Sequence, residues 1–229
     1  MKKLVVLTGA GISAESGLKT FRDAGGLWEG YRIEEVASPD GWRTNQDKVL
    51  LFYNQRRHQL KTVVPNKAHK TLADLERAFE VQIITQNVDD LHERAGSNNV
   101  LHLHGELLSV HSEKNAALRY RWNDDLNKGQ LAEDGAQLRP DIVWFGEEVP
   151  LLSNAAEICS TADYLLIIGT SLQVYPAAGL VYEIPPHCPV IYIDPKADSN
   201  FTQKKTNTYF IQKTAVEGID EAVKLLFQI

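Results

Sequence analysis

Five short apolar runs, at residues 4–8, 81–85, 142–145, 164–168 and 190–193, recur along the chain, each closed by a turn signal. Their apolarity is continuous rather than alternating. Strands of that kind are covered on both faces, as in a parallel sheet flanked by helices. Helical patterns lie between them. Asn66 is placed to cap a helix whose apolar positions Ala68, Leu72, Leu75 and Phe79 share one face, and residues 219–227 read as a closing amphipathic helix. Strands alternating with helices predict an α/β fold with a doubly wound parallel sheet. Two segments break the alternation: residues 30–65 are helical and richer in polar groups, and residues 106–138 are polar, charged and poor in apolar runs. Both are expected to leave the sheet as insertions that build a second, smaller lobe, the larger one taking residues 1–29, 66–105 and 139–229.

The chain has 229 residues, 43% of them hydrophobic, and a net charge of −6. That allows one substantial core and lacks the basic footprint of a nucleic-acid binder. A basic peptide would be attracted weakly. The opening MKKLVVLTGAG mimics a signal peptide, but its apolar run is too short and a glycine turn follows at once. No stretch approaches the ~20 apolar residues of a membrane span. The two cysteines, Cys159 and Cys188, cannot make a disulfide framework. A cytoplasmic monomer with no membrane or nucleic-acid partner is the expectation.

Directly after the first run, VVLTGAGISAESGL places Gly9, Ala10, Gly11, Ile12 and Ser13 in the pattern G-x-G-x-x-A. Such glycines let the backbone turn tightly and approach a pyrophosphate at a helix N-terminus; a tight turn with no ligand is the plainer alternative. The acidic residue expected about 20 positions on in a dehydrogenase is missing. A polar loop of Phe21, Arg22 and Asp23 stands there instead. Chemistry other than hydride transfer is expected, with that loop closing over the cofactor.

After the run at 81–85 come Gln86, Asn87 and Asp89, and after the run at 164–168 come Gly169, Thr170 and Ser171. In a parallel sheet, groups beyond the carboxyl ends of strands meet the ligand. Amides and a carboxylate there suit an amide and ribose hydroxyls, and a small hydroxyl-bearing turn suits phosphate or ribose. The plainer readings are helix caps made by Asn87 and Ser171.

The segments GAGISAESGLKTFRD, TQNVDDLHERAG, LHLHGEL, RPDIVWFGE and GTSLQVYPAAGL, in this order, resemble the sirtuins, the NAD-dependent protein lysine deacylases with a Rossmann-like larger lobe. The resemblance covers nearly the whole chain. It implies an NAD site at Gly9, Ala10, Gly11, Ile12, Ser13, Phe21, Arg22, Asp23, Gln86, Asn87, Asp89, Gly169, Thr170 and Ser171, with Asp194, Lys196 and Ala215 added at its adenosine end. Where VIYIDPKAD has Asp194, the family often has asparagine; a carboxylate there would disfavour a 2′-phosphate, and so NADP. His104 matches the general base, with Asn87 and Asp89 at the ribose and nicotinamide end. Such enzymes cleave the nicotinamide–ribose bond, let the acyl oxygen attack C1′, and release lysine and O-acyl-ADP-ribose. An imidazole suits a base that works near neutral pH.

Substrates implied by the resemblance are acyl-lysine proteins or peptides. Val143, Trp144 and Phe145 resemble the stretch that pairs with the substrate backbone as an added strand. Tyr53 and Arg56, three apart on a helix, resemble the pair that binds succinyl and malonyl groups, and a phenol beside a guanidinium can hold a carboxylate. Ala24 resembles the small residue that leaves room for a longer acyl chain. Acetyl removal should persist as a second activity. Rival readings are an NAD hydrolase or ADP-ribosyltransferase, which would need neither Tyr53 nor Arg56, and an NAD-sensing module, which could dispense with His104.

One departure is large. Most sirtuins bind zinc through two C-x-x-C pairs between the histidine motif and the R-P segment; here residues 105–138 hold no cysteine, and His111 is their only nitrogen ligand. One ligand cannot close a tetrahedral site. No zinc is expected, and Leu118, Tyr120, Trp122 and Leu126 are expected to form an apolar cluster in its place. In LHLHG, His102 and His104 would share a face of an extended strand, so a bend is needed if only one reaches the site.

Overall fold

The structure, a computed structural model, describes residues 1–19, 27–28, 30–197 and 207–229. Phe21, Arg22, Asp23 and Ala24 lie outside the described residues. In chain order the elements are β1 (Lys2–Thr8), α1 (Ala10–Ala14), β2 (Leu27–Trp28), β3 (Tyr31–Arg32), α2 (Ile33–Val36), α3 (Pro39–Thr44), α4 (Gln46–Thr62), α5 (Lys67–Leu75), β4 (Phe79–Thr85) and α6 (Leu91–Ala95). There follow β5 (Val100–His102), β6 (Gly105–Ser112), β7 (Arg119–Arg121), β8 (Leu138–Ile142), α7 (Leu152–Ser160), β9 (Tyr164–Ile168), a 3-10 helix (Ala177–Tyr182), β10 (Val190–Ile193), β11 (Thr208–Ile211) and α8 (Ala215–Leu226).

Six strands form one sheet in the order β11-β10-β9-β1-β4-β5, every pairing parallel. From β1 the chain winds outward through β4 and β5, then returns and winds out the other way through β9, β10 and β11. The sheet is doubly wound, with its switch point between β1 and β9. Ligands of open α/β sheets bind in that crevice.

The continuous apolar runs follow from two covered faces. Leu4, Val6, Val81, Ile83, Leu166 and Ile168 face α5 and α8. Val5, Leu7, Ile84, Leu165 and Ile167 face α7 and the 3-10 helix. Each such side chain contributes about 1.5–3 kcal/mol by leaving water.

Four expectations need correction. Residues 142–145 do not join the parallel sheet: only Ile142 is in a strand, and that strand, β8, belongs to a separate antiparallel sheet. Phe79 is not on the helix capped by Asn66; α5 ends at Leu75 and Phe79 opens β4, though it packs in the same core. The closing helix starts at Ala215, ahead of the expected 219, behind a capping box of Thr214 and Glu217. β11 was not expected.

Residues 106–138 are not merely polar loop. They supply most of a three-stranded sheet, β7-β6-β8, with antiparallel pairings, and β8 runs across the expected boundary at 138. Leu126, Tyr120 and Trp122 do pack together, but in a larger cluster that includes Phe52, Tyr53 and Leu60 of α4; Leu118 is not part of it. Polar groups tie the lobe as well. Asn54 of α4 accepts from the Leu126 amide (2.9 Å) and donates to the Leu126 carbonyl (3.0 Å). Its Oδ1 also takes Nη1 of the fully buried Arg57 (2.7 Å), whose Nε donates to the Leu107 carbonyl (3.0 Å). Burial lowers the Arg57 pKa to about 10, still charged at neutral pH.

Across the three strands of this sheet, His111 and Arg119 grip the two oxygens of Asp141 (2.8 and 2.5 Å), and Arg119 reaches on to Glu106 (2.5 Å). Asn54→Ala strands three buried partners and is expected to cost about 3 kcal/mol, read as a lower urea midpoint at constant slope. A cost below about 1 kcal/mol would mean that Asn54 does not hold the loop.

Candidate active site

Three loops meet at the switch point. The Gly9 amide donates to the Ile168 carbonyl (3.1 Å) and the Gly11 amide to the Gly169 carbonyl (2.8 Å). A Cβ on Gly11 would stand 2.6 Å from the Gly169 Cα, and Gly169 itself has φ +62°. Only glycines allow the loops after β1 and β9 to pack backbone on backbone. α1 is a single turn of five residues, so the expected helix-terminus contribution to anion binding is small. Close backbone approach is what the turn supplies.

From β4, Gln86 donates to Thr170 Oγ1 across the crevice (3.1 Å). Asn87 is not a helix cap. Its Nδ2 donates to the Gly9 carbonyl (3.1 Å) and to Ser13 Oγ (3.2 Å). Both amide protons are thus occupied, and Oδ1 remains as an acceptor. Ser13 passes its own proton to Asp89 Oδ2 (3.0 Å), and Asp89 Oδ1 takes the Leu91 amide (3.2 Å). Burial pushes the Asp89 pKa up to about 6, against the Leu91 and Ser13 hydrogen bonds. Ser171 starts no helix; Thr170 Oγ1 instead takes the Leu172 amide (3.2 Å).

The histidine pair separates at a bend. β5 ends at His102, and Gly105 turns with φ +82°, where a Cβ would lie 2.0 Å from the Asp141 carbonyl oxygen. His102 is buried, its Nδ1 on the Asn87 carbonyl (3.0 Å) and its Nε2 on Glu93 (2.7 Å). Burial opposes its charge, but Glu93 outweighs that and its pKa is raised. His104 Nδ1 lies 3.0 Å from the Gln86 carbonyl. A carbonyl only accepts, so Nδ1 carries the proton and Nε2 keeps its lone pair. No described residue hydrogen-bonds that Nε2. Burial lowers the His104 pKa, with the Gln86 bond opposing.

These loops line one cavity of about 550 Å³. Its wall holds every described residue expected in the site except Ile12, whose side chain points into the sheet core. Asp194, Lys196 and Ala215 line it at the end of β10 and the start of α8; the half-buried Asp194 also accepts the Lys196 amide (2.8 Å). From α4 of the smaller lobe come Tyr53 and Arg56, and from the stretch after β8 come Val143, Trp144 and Phe145. Arg56 is half-buried over the Phe52 ring (5.0 Å). The amides of Val143 and Phe145 bind the carbonyls of His104 and Ala37, and that of Trp144 binds Glu147. All three amides of this stretch are therefore occupied within the protein.

Two contributors escaped the sequence reading. Arg139 and Glu147 clamp Trp144 through a bidentate pair (2.8 and 3.1 Å); both lie in the quoted RPDIVWFGE, which was their only signal. Gln59 and Tyr175 also line the wall; Tyr175 lies in the quoted GTSLQVYPAAGL, and Gln59 had no motif to mark it. Among the described residues no group of three or more His, Cys, Asp or Glu side chains could hold a metal ion, and no helix is long and apolar enough to cross a membrane.

The donor set fits a dinucleotide. Glycine backbones bring two loops into contact at the switch point, a carboxylate ends β10, and Asn87 Oδ1 is oriented by its fully used amide protons. Comparison with known proteins agrees. The Sir2 family profile matches residues 9–176. An NAD-dependent protein deacylase of Helicobacter pylori (strain J99) is 61% identical over 229 residues, covering 100% of this chain and 97% of that protein. One of Bacteroides thetaiotaomicron is 50% identical over 232 residues, covering 99% and 98%. A crystal structure of a Sir2 homolog–NAD complex superposes with a TM-score of 0.86 at 39% identity, covering 99% of this chain and 90% of that one.

Proposed function

The chain belongs to the Sir2 family, and from that premise we propose that it is an NAD-dependent protein-lysine deacylase that removes succinyl and malonyl as well as acetyl groups. One catalytic unit carries the reaction, its NAD-binding lobe drawn from residues 1–29, 66–105 and 139–229 less the rest of β8, its smaller lobe from 30–65 and 106–138 with β8 continued to Ile142. The observation that carries the reading is His104: a neutral imidazole with Nδ1 committed to a carbonyl and Nε2 in the cavity wall.

Bound NAD would supply an electrophilic ribose carbon, once nicotinamide leaves, and a ribose hydroxyl to be deprotonated. His104 Nε2 takes that hydroxyl proton, and the Gln86 carbonyl steadies the imidazolium through Nδ1. Asn87 Oδ1 and the Ser13–Asp89 pair orient the ribose and nicotinamide end. The loops of Gly9, Gly11 and Gly169 admit the pyrophosphate, and Asp194 accepts from the adenosine ribose. Ala24, Phe21, Arg22 and Asp23 keep the roles that the family resemblance implies.

Arg56 and Tyr53 support the acidic-acyl preference. Both line the cavity, and a guanidinium with a phenol hydroxyl suits a terminal carboxylate. Tyr53 has no surface open to water (0%). A carboxylate oxygen, similar in size to a water, therefore reaches it only if neighbouring wall groups shift on binding. The test is incubation with NAD and succinyl-, malonyl- or acetyl-lysine peptides, with products followed by mass spectrometry. Nicotinamide release without deacylated peptide would favour an NAD hydrolase; tight NAD binding without turnover would favour a sensor.

A further inference from the structure

Trp144 is buried (2% exposed), and its indole nitrogen stands 2.9 Å from the Tyr53 hydroxyl oxygen. An indole N–H can only donate. The phenol oxygen is therefore the acceptor, and the phenol's own proton must point elsewhere. No described residue accepts that proton. Burial raises the Tyr53 pKa above its ordinary value, so the proton stays on the oxygen at neutral pH.

The indole is itself held on several sides. The Arg139 guanidinium stacks 3.4 Å from its ring centroid, and the Trp42 ring lies 5.7 Å away. Arg139 is fixed by its two bonds to Glu147 and a third to the Ile142 carbonyl (3.0 Å). Glu147 Oε2 also takes the Trp144 backbone amide (2.7 Å). Neither ring nor backbone of Trp144 can turn without breaking part of this clamp.

We propose that Trp144 is a specificity-determining positioning residue: by donating to the Tyr53 oxygen it aims the phenol proton toward the acyl carboxylate held by Arg56. The inference rests on the acidic-acyl reading given above. A phenol O–H lies near its ring plane in one of two directions, and an indole N–H donating to the oxygen disfavours the direction nearer to it. With the indole N–H removed, nothing confines the proton to the carboxylate side before the substrate arrives. Part of the carboxylate's binding then goes into ordering the phenol, and the bond loses the polarisation that the indole N–H gives to it. An acetyl group carries no carboxylate and gains nothing from the aimed proton.

The test is a double-mutant cycle of Trp144→Phe and Tyr53→Phe. It compares kcat/KM for succinyl- and acetyl-lysine forms of one peptide at saturating NAD. Trp144→Phe is expected to lower the succinyl-to-acetyl ratio about ten-fold, mainly through the succinyl KM. In the Tyr53→Phe background the same change should move the ratio less than about two-fold. A second variant guards against misfolding: 3-benzothienylalanine at position 144 replaces the N–H with sulfur at nearly constant shape, and should lower the ratio in the same way.

Equal loss on both substrates, in both variants, would overturn the inference and leave Trp144 a packing residue. So would an effect on the ratio that persists without the Tyr53 hydroxyl. If Tyr53→Phe and Arg56→Met both leave the ratio unchanged, the acidic-acyl reading itself has failed, a result distinct from the other two.

Discussion

His104→Tyr leaves a folded protein that binds NAD and no longer removes acyl groups. The expected loss in kcat is roughly 10²–10⁴-fold, the usual worth of a positioned general base. Folding survives because His104 is only half-buried and its side chain makes one hydrogen bond among the described residues, to the Gln86 carbonyl. NAD affinity survives because the glycine loops, Asn87 and Asp194 are untouched. Circular dichroism and calorimetric titration with NAD check these two points, and peptide turnover checks the third. Retention of more than about a tenth of the activity would remove His104 as the base. The wild-type pH profile gives an independent reading. Burial lowers the His104 pKa below its ordinary 6.5, so Nε2 is available through neutral pH and is lost only as acid protonates it. The acid limb of kcat/KM should therefore bend below 6.5; a bend at 7 or above would contradict the assignment.

Arg56→Met should separate the acyl groups. Methionine keeps an apolar stem against Phe52 and removes the charge. Loss of a charge-assisted hydrogen bond costs about 1.5–3 kcal/mol, or roughly ten- to a hundred-fold in kcat/KM for succinyl-lysine. Acetyl-lysine has no carboxylate to lose, so its rate should fall far less. Equal slowing of both would sink the acidic pocket. Arg57, the adjacent residue, is an instructive contrast. It is fully buried on the Leu107 carbonyl and Asn54, so its replacement is expected to show as lost stability rather than altered specificity.

The sheet was legible because burial on both faces leaves an unmistakable residue pattern, as in LVVLT and YLLII. β11 was not, because it lies at the sheet's edge and only Ile211 of its residues is buried. The antiparallel sheet of the smaller lobe was hidden for a related reason. β7 is RYR, and its arginines reach acidic partners on other segments. Charge that reads locally as loop is tertiary pairing. In the site, the glycines, amides and His104 could be named in advance because their chemistry is tied to residue type and place. Trp144 was named only for the peptide strand; its bond to Tyr53 was not legible, because the two lie 91 residues apart in sequence. His102 illustrates the same limit, since only the bend at Gly105 and the contact with Glu93 show that it serves the frame and not the cavity.

The cross-links among Arg119, Asp141, His111 and Glu106, which tie all three strands of the smaller sheet, decide what the protein's surroundings can do to it. A lobe closed by metal–thiolate bonds answers to metal supply and to oxidants; one closed by ion pairs and amide bonds answers to salt and acid. EDTA and mild thiol oxidants should therefore leave unfolding unchanged, the more so because Cys159 and Cys188 are both buried. Raising salt toward about 1 M, where screening acts within about 3 Å, should weaken the half-exposed Arg119 pairs. Unfolding followed under these conditions would show a protein indifferent to chelation and responsive to ionic strength.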